Sequence, residues 1–334
     1  ADGLKMHRWD FEAAYLQGSL LPGEVVYCSP PTGYVFREDG SLVEGKDDGK
    51  FMAIVQKPVY GMAQAGRRWQ RGLYDWLKEY GFRQMKSDNC VFVLDRTVTN
   101  GGQTSSQRII LGVYVDDLSI LRKEDGPGSL YAQFTSDLQA KWRVEDEGEL
   151  TDLLNVEFSF SENCVSLKQT SYIEKLTRVY LGCEPKQSKG DKIPCDETLP
   201  RHVADALTWA ADDVDPKLLK QYQSLVGALL YCSTQTRPDV AFSVAMLCRA
   251  MSRPTPELYS DAQRVLRYLY RTRDIGLRYE RETGTPLSGM TDSDWAVKHS
   301  TTGFVFKYMR AAISWASRKQ SSVALSSCEA EIMA

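Results

Sequence analysis

Apolar positions recur along this chain with different rhythms, and each rhythm predicts an element. Over residues 64–80 they fall at Trp69, Leu73, Trp76, Leu77 and Tyr80, the three-and-four spacing of one helix face, with Arg67, Arg68, Arg71 and Lys78 on or beside the other. Over residues 109–115 they run without a break and are rich in β-branched types, and after Asp116-Asp117 the run Leu118-Ser119-Ile120-Leu121 resumes. That pattern predicts a strand hairpin with two carboxylates at its tip. Upstream, residues 4–9 read as extended, and the segment after Asp10 reads as helical through Ala13, Ala14, Tyr15 and Leu16, which puts Asp10 where a strand ends. The polar run over residues 97–106 reads as a surface loop between strands.

Further along, the pattern turns mainly helical, over 221–234, over 240–251 between Pro238 and Pro254, and over 257–273 just after Pro256. Short strands follow over 287–292, 303–309 and 312–316, then a helix beginning near Ser326. Gly, Pro and polar clusters near 184–200 and 282–288 predict three stretches, 1–185, 186–285 and 286–334, and no internal repeat suggests a solenoid.

Composition narrows the class. With 334 residues, 43% hydrophobic and 25% charged, the chain matches a globular protein of about two or three domains. No apolar run reaches the roughly 18 to 20 residues of a membrane span, and the first residues lack a charged-then-apolar leader pattern. The eight Cys form no C-x-x-C pair and only three His accompany them, which argues against structural zinc and for free thiols packed as small hydrophobes. A formal charge of −3 gives no overall basic footprint for nucleic acid. Locally the balance differs. Between Arg249 and Arg281 eight Arg face only Glu257, Asp261, Asp274 and Glu280, and residues 298–319 contain Lys and Arg but no acid. Arg264, Arg267 and Arg271, three and four apart, share a helix face that can either track phosphates or simply stay solvated.

Two adjacent Asp at the tip of a buried hairpin repel each other unless something positive lies between them. A divalent cation is the simplest remedy. With Asp10 at a second strand end, the three carboxylates suit two Mg²⁺ ions about 4 Å apart, a clamp for the attacking and leaving oxygens of phosphoryl transfer. Carboxylates without His favour Mg²⁺, with Mn²⁺ as the alternative, over zinc.

Several strings then point to a family. Tyr114-Val115-Asp116-Asp117 resembles the YVDD box of reverse transcriptases. The segments 9–18, 30–34, 57–69 (from Lys57-Pro58-Val59-Tyr60-Gly61 to Trp69), 222–231, 236–241, 265–269, 313–315 and 326–331 are similar, in this order, to the Pol polyproteins of copia-type LTR retrotransposons. The resemblance implies an α+β fold: a right-hand polymerase palm with partial fingers, a mainly helical connecting segment, and a truncated RNase H-like α/β unit. It implies RNA-directed DNA polymerase activity, with Asp10 and Asp116 holding the metal ions and Asp117 completing the catalytic set. Tyr15 would stack under the incoming sugar and obstruct a 2′-OH, and Gln64 would lie near nucleotide and template. In the last stretch, Asp292 and Glu331 match metal-binding RNase H carboxylates, whereas Asp294 and Glu329 read as turn and helix-surface residues.

The implied partners are an RNA template, a DNA primer or RNA–DNA hybrid, and deoxynucleoside triphosphates, with protease and integrase domains in the longer polyprotein and no membrane. The family's life cycle implies cytoplasmic virus-like particles with nuclear delivery of the product. Several features depart from the family pattern, among them a connection between Trp295 and Ser300 that is shorter than usual. The chain starts a few residues before Asp10, ahead of which the family has further fingers strands, and Glu145 stands where a Lys is usual. Two other readings remain open at this point. One is a catalytically inactive remnant that only binds nucleic acid through its Arg faces, and the other is a palm-fold nucleotidyl cyclase.

Overall fold

The computed structural model describes residues 4–47, 49–100, 103–123, 126–182, 192–208, 214–281, 286–295 and 299–334. Helices and antiparallel sheets are mixed throughout, in two compact units, Asp2–Leu150 and Thr151–Ala334. Of the expected breaks at 184–200 and 282–288, residues 184–191 and 282–285 lie outside that description, and a helix, Thr198–Ala206, starts within the first.

In the first unit six strands form one sheet in the order Val144–Glu149, Lys5–Phe11, Asp117–Arg122, Gln103–Tyr114, Val91–Asn100, Arg83–Gln84. Side chains alternate across it. Trp9, Phe11, Ile109, Leu111, Val113, Leu118 and Ile120 lie on the face covered by the helices Ala65–Tyr80 and Leu130–Lys141, which contribute Trp69, Leu73 and Leu77, and Leu130, Phe134 and Leu138. Each such side chain contributes roughly 1.5–3 kcal/mol by leaving water. The first helix ends at Gly81, whose φ of 114° only glycine adopts easily and whose N–H closes on the Leu77 and Lys78 carbonyls. The second starts at Ser129, whose hydroxyl accepts the Ala132 N–H.

One expectation is corrected here. Residues 97–100 and 103–106 are not loop but the outer arms of a long hairpin, paired from Val91↔Gly112 out to Asn100↔Gln103. Polarity suggested a loop, yet Thr97, Val98, Thr99 and Thr104 are β-branched, and their alternation buries Val98 and leaves its neighbours outward.

The second unit opens with a four-stranded sheet, Asp152–Leu153, Val156–Ser161, Cys164–Lys168 and Leu277–Glu280. Between its last two strands lie the helices Thr170–Leu181, Thr198–Ala206, Pro216–Gln235, Ala241–Cys248 and Pro256–Arg271, packed around Tyr222, Leu225, Leu229, Val244, Leu247, Leu266 and Leu269. The helix expected over 257–273 starts close to its expected place, at Pro256 after the capping Thr255, whereas the one expected from 221 starts five residues earlier, at Pro216 after the capping Asp215. A three-stranded sheet, Ser288–Ser293, Thr301–Tyr308 and Ala311–Lys319, precedes the helix Ser327–Ile332. Among the described residues no helix is long and apolar enough to cross a membrane, and Cys28, Cys90, Cys164, Cys195, Cys232, Cys248 and Cys328 are free thiols.

Candidate active site

Strand register assembles the first carboxylate group. Asp10 pairs with Asp117 on one side and with Glu145 on the other, and Arg8 pairs with Ser119. The alternation that buries Trp9 and Leu118 therefore turns Arg8, Asp10 and Asp117 to the other, more open face, on which Ser119 is itself buried. The two-residue turn Val115-Asp116 joins the strands, and the Phe11 N–H donates to the Asp116 carbonyl at 3.0 Å. Asp10 and Asp116 thus come from places far apart in sequence to one strand-end neighbourhood.

Charge is uneven across this group. Arg8 donates to Asp117 Oδ1 from Nη2 at 2.7 Å and from Nε at 2.9 Å, and its Nε lies 2.8 Å from Glu147 Oε2. Asp117 is therefore neutralised within the protein. Asp10 is not: burial first, then the charges of Asp116, Glu147 and Asp117, push its pKa above the ordinary carboxylate value, and Arg8 opposes them only in part. Among the described residues no hydrogen-bond donor is placed on the Asp10 or Asp116 carboxylates, and no three His, Cys, Asp or Glu side chains converge to hold a metal ion alone. The residues fit a Mg²⁺-type site that takes one or two carboxylates and fills its remaining positions with phosphate oxygens and water.

A stability prediction follows from the sign of that shift. A carboxylate raised on folding destabilises the native state at every pH above its folded pKa, and the penalty disappears below the unfolded value near 4. Asp10→Asn should therefore raise Tm by a degree or two at pH 7, and the gain should vanish towards pH 4. Millimolar Mg²⁺ should raise the wild-type Tm but not that of the variant, as read by differential scanning calorimetry.

Tyr15, on the short helix Ala14–Gln17, stacks on Tyr60 with ring centroids 4.5 Å apart. Gly66 faces this ring: a Cβ there would stand 3.3 Å from the Tyr15 hydroxyl. Gln64 caps the helix Ala65–Tyr80 and donates its amide to Glu24 Oε1 at 3.3 Å, and Glu24 Oε2 receives Arg68 Nε and the Leu21 N–H, each at 2.9 Å. The Leu21 N–H, then Arg68, hold Glu24 below the usual carboxylate range. Arg8, Glu24, Arg68, Trp69 and Glu147 all bear on this neighbourhood without having been singled out from the sequence for it. Only their long-range pairing reveals them.

In the second unit Asp292 sits on the strand Ser288–Ser293 opposite Gly303. Glu331 Oε1 accepts the N–H of the next residue, Ser293, at 3.3 Å, so the helix Ser327–Ile332 brings its carboxylate to the strand end that carries Asp292. Asp292 opens onto a groove of about 890 Å³ floored by Met290, Val305 and Trp315. Asp294 accepts the Thr301 N–H within the strand connection, and Glu329 accepts the Leu325 N–H at the helix entry, so both are engaged locally. Arg264 is ion-paired with Asp196, whose pKa is driven well below the carboxylate range by the Thr198 hydroxyl and N–H and then by Arg264. Arg267 is half-buried and Arg271 exposed further along the same helix.

Residues 1–187 match the family model described as reverse transcriptase (RNA-dependent DNA polymerase). The chain belongs to this reverse transcriptase family. The copia-type Pol resemblance of its motifs agrees with its curated relatives. The chain is 30% identical, over 99% of its length, to 23% of the Retrovirus-related Pol polyprotein from transposon TNT 1-94 of Nicotiana tabacum. It is 31% identical, over 96% of its length, to 20% of the corresponding polyprotein from transposon RE2 of Arabidopsis thaliana. The chain therefore spans between a fifth and a quarter of these relatives. The putative transposon Ty5-1 protein of Saccharomyces cerevisiae is 27% identical, with 93% of this chain and 92% of that one covered. A looser likeness, TM-score 0.45 at 11% identity, covers 98% of this chain and 45% of a foamy viral protease-reverse transcriptase in complex with double-stranded DNA.

Proposed function

We propose that this reverse transcriptase family member is the RNA-directed DNA polymerase part of a copia-type Pol polyprotein. Residues 1–185 would supply the palm and part of the fingers, 186–285 the helical connection, and 286–334 the opening of an RNase H-like unit. The observation that carries the reading is the register that sets Asp10 beside the Asp116-Asp117 turn on an open sheet face. Mg²⁺ bound by Asp10 and Asp116 would stabilise the charge that develops as a primer 3′-OH displaces pyrophosphate from a deoxynucleoside triphosphate. Arg8 keeps Asp117 neutralised and oriented, so that two carboxylates rather than three are left for cations. Asp292 and Glu331 would take the equivalent metal-binding role against the RNA strand of a hybrid. Arg267 and Arg271, with Arg264 behind them, would meet phosphates. The assembly proposed around the chain is a cytoplasmic particle containing template RNA and the protease and integrase parts of the polyprotein, with later delivery of the DNA to the nucleus.

The Tyr15 ring would underlie the incoming sugar, steadied by Tyr60. Tyr15→Ala should raise incorporation of ribonucleotides relative to deoxynucleotides by about ten-fold or more, because a methyl group no longer fills the space a 2′-OH would need. Competition between the two triphosphates in single-nucleotide extension reads this ratio. The test of the function itself is Mg²⁺-dependent extension of a DNA primer on an RNA template by the wild-type chain and by Asp116→Asn. Extension by wild type alone supports the reading. Extension by both overturns the assigned site, and duplex binding without extension by either points to a remnant that only binds nucleic acid.

A further inference from the structure

The turn that carries Asp116 is held from two sides. Val115 has φ of 56°, a region that β-branched residues rarely enter, and its carbonyl accepts the Trp69 indole N–H at 2.5 Å. The next carbonyl, that of Asp116, accepts the Phe11 N–H at 3.0 Å. Trp69 is 1% exposed and meets Phe11 and Trp142 edge to face, with centroids 4.9 and 5.1 Å apart. Its ring therefore cannot swing away without disturbing the core beneath the sheet. Among the described residues the Trp69 indole N–H has an acceptor, unlike those of Trp9 and Trp142 in the same core, and that acceptor is a peptide in an unfavourable conformation. Beside the turn lies a cavity of about 310 Å³ lined by Tyr15, Trp69, Tyr74, Val113, Tyr114 and Val115. That space is where Val115 can relax if released.

We propose that Trp69 is a positioning residue: its indole N–H holds the Val115 peptide in the left-handed conformation that sets the Asp116 carboxylate beside Asp10. The catalytic consequence rests on the polymerase reading, whereas the lock itself is conformational. Without the N–H, Val115 returns towards negative φ, the peptide between Val115 and Asp116 rotates, and the carboxylate moves with it. A displacement of about 1 Å in a reacting group is enough to lose roughly 10²-fold in rate. Glycine occupies positive φ without steric penalty, so the lock is needed because residue 115 has a Cβ, and most of all because it is β-branched. Phe11 cannot replace Trp69 in this role, since its N–H fixes the far side of the turn and leaves the Val115 peptide free to rotate.

The experiment uses Trp69→Phe, which keeps a ring in the core, Val115→Gly, and the double variant. Hydrogen exchange of a peptide covering residues 113–118 reads the lock, and single-turnover extension reads its effect on kcat and on KM for the deoxynucleotide. Trp69→Phe should speed exchange in the turn about ten-fold or more and lower kcat by roughly 30- to 100-fold with KM changed less than about three-fold. Val115→Gly added to Trp69→Phe should restore most of the kcat that Trp69→Phe loses, judged relative to a Val115→Gly background. A merely structural Trp69 would not be rescued by a glycine in the turn. The proposal is overturned if exchange in Trp69→Phe equals that of wild type, or if the double variant is as slow as Trp69→Phe. If the turn loosens in Trp69→Phe while wild type extends nothing, the lock stands and the polymerase reading fails.

Discussion

Asp116→Asn should reduce primer extension by at least about 10³-fold, a loss of roughly 4 kcal/mol of transition-state stabilisation. The size follows from charge. Asn keeps the shape of the side chain and leaves the backbone bond from Phe11 untouched, but removes one of the two carboxylates on which, among the described residues, no hydrogen-bond donor is placed. Stability should not fall with it. Asp116 is the largest charge effect raising the Asp10 pKa, so neutralising it relieves repulsion and Tm should hold or rise slightly. Asp117→Asn should behave differently, with a loss nearer ten-fold. Its carboxylate is already bound by Arg8, and Arg8 retains Glu147 when Asp117 is neutralised. Single-turnover extension at saturating nucleotide, with Tm measured on the same preparations, separates the two. An Asp117 effect as large as that of Asp116 would mean that Arg8 releases Asp117 during the reaction.

Some of this site was legible in the sequence and some was not, for physical reasons. The helix Ala65–Tyr80 carries a regular apolar stripe, and the hairpin around Asp116 an unbroken β-rich run, so local pattern alone revealed both. Asp10 was different. Local pattern put it only at a strand end, and charge and family resemblance grouped it with Asp116 and Asp117; its place beside Asp117 is a matter of strand register across the whole unit, which no local spacing encodes. Arg8 escaped notice because its partner stands 109 positions away, and Trp69 because an indole in an apolar stripe looks like packing whether or not its N–H holds a strained peptide. The hairpin arms over residues 97–100 and 103–106 misled in the other direction. Composition suggested a loop, but the two arms extend the hairpin by pairing with each other, as their β-branched residues favour. Arg264 shows the limit of face arguments: helical spacing put it on a basic face, while an acid from another helix's approach, Asp196, holds its guanidinium.

Arg237→Met should give the largest stability loss in the second unit, roughly 3 kcal/mol. Arg237 is fully buried, its Nε and Nη2 lying 2.9 and 2.6 Å from the two Asp239 oxygens, its Nη1 3.1 Å from the Thr272 carbonyl and its Nη2 2.6 Å from the Thr272 hydroxyl. Tyr268 completes the group, with the guanidinium 5.6 Å from its ring centroid and its hydroxyl donating to Asp239 at 2.8 Å. One side chain therefore ties the end of the helix Pro216–Gln235 to the turn Pro238–Val240 and to the end of the helix Pro256–Arg271. Methionine fills similar volume but strips Asp239 of its guanidinium, leaving it the Tyr268 hydroxyl and a backbone N–H, and leaves the Thr272 carbonyl with only the Ile275 N–H. Breaking a buried pair by removing one partner costs about 3–5 kcal/mol, and the lower end applies because Asp239 keeps 33% of its side chain exposed. The pH dependence gives a second check. Burial pulls the Asp239 pKa up, but the Arg237 bonds and charge, with Tyr268, more than offset it and leave it lowered. A carboxylate lowered on folding stabilises the native state above its unfolded pKa, near 4, and that contribution is lost as pH falls through the folded value. The difference between wild type and Arg237→Met in urea unfolding should thus be widest near pH 7 and shrink below about pH 4. Replacing both partners, Arg237→Met with Asp239→Leu, should recover a large part of the loss at pH 7, because no buried charge then lacks its partner. A double variant less stable than Arg237→Met would show that the tie to Thr272, rather than the ion pair, holds these three segments together.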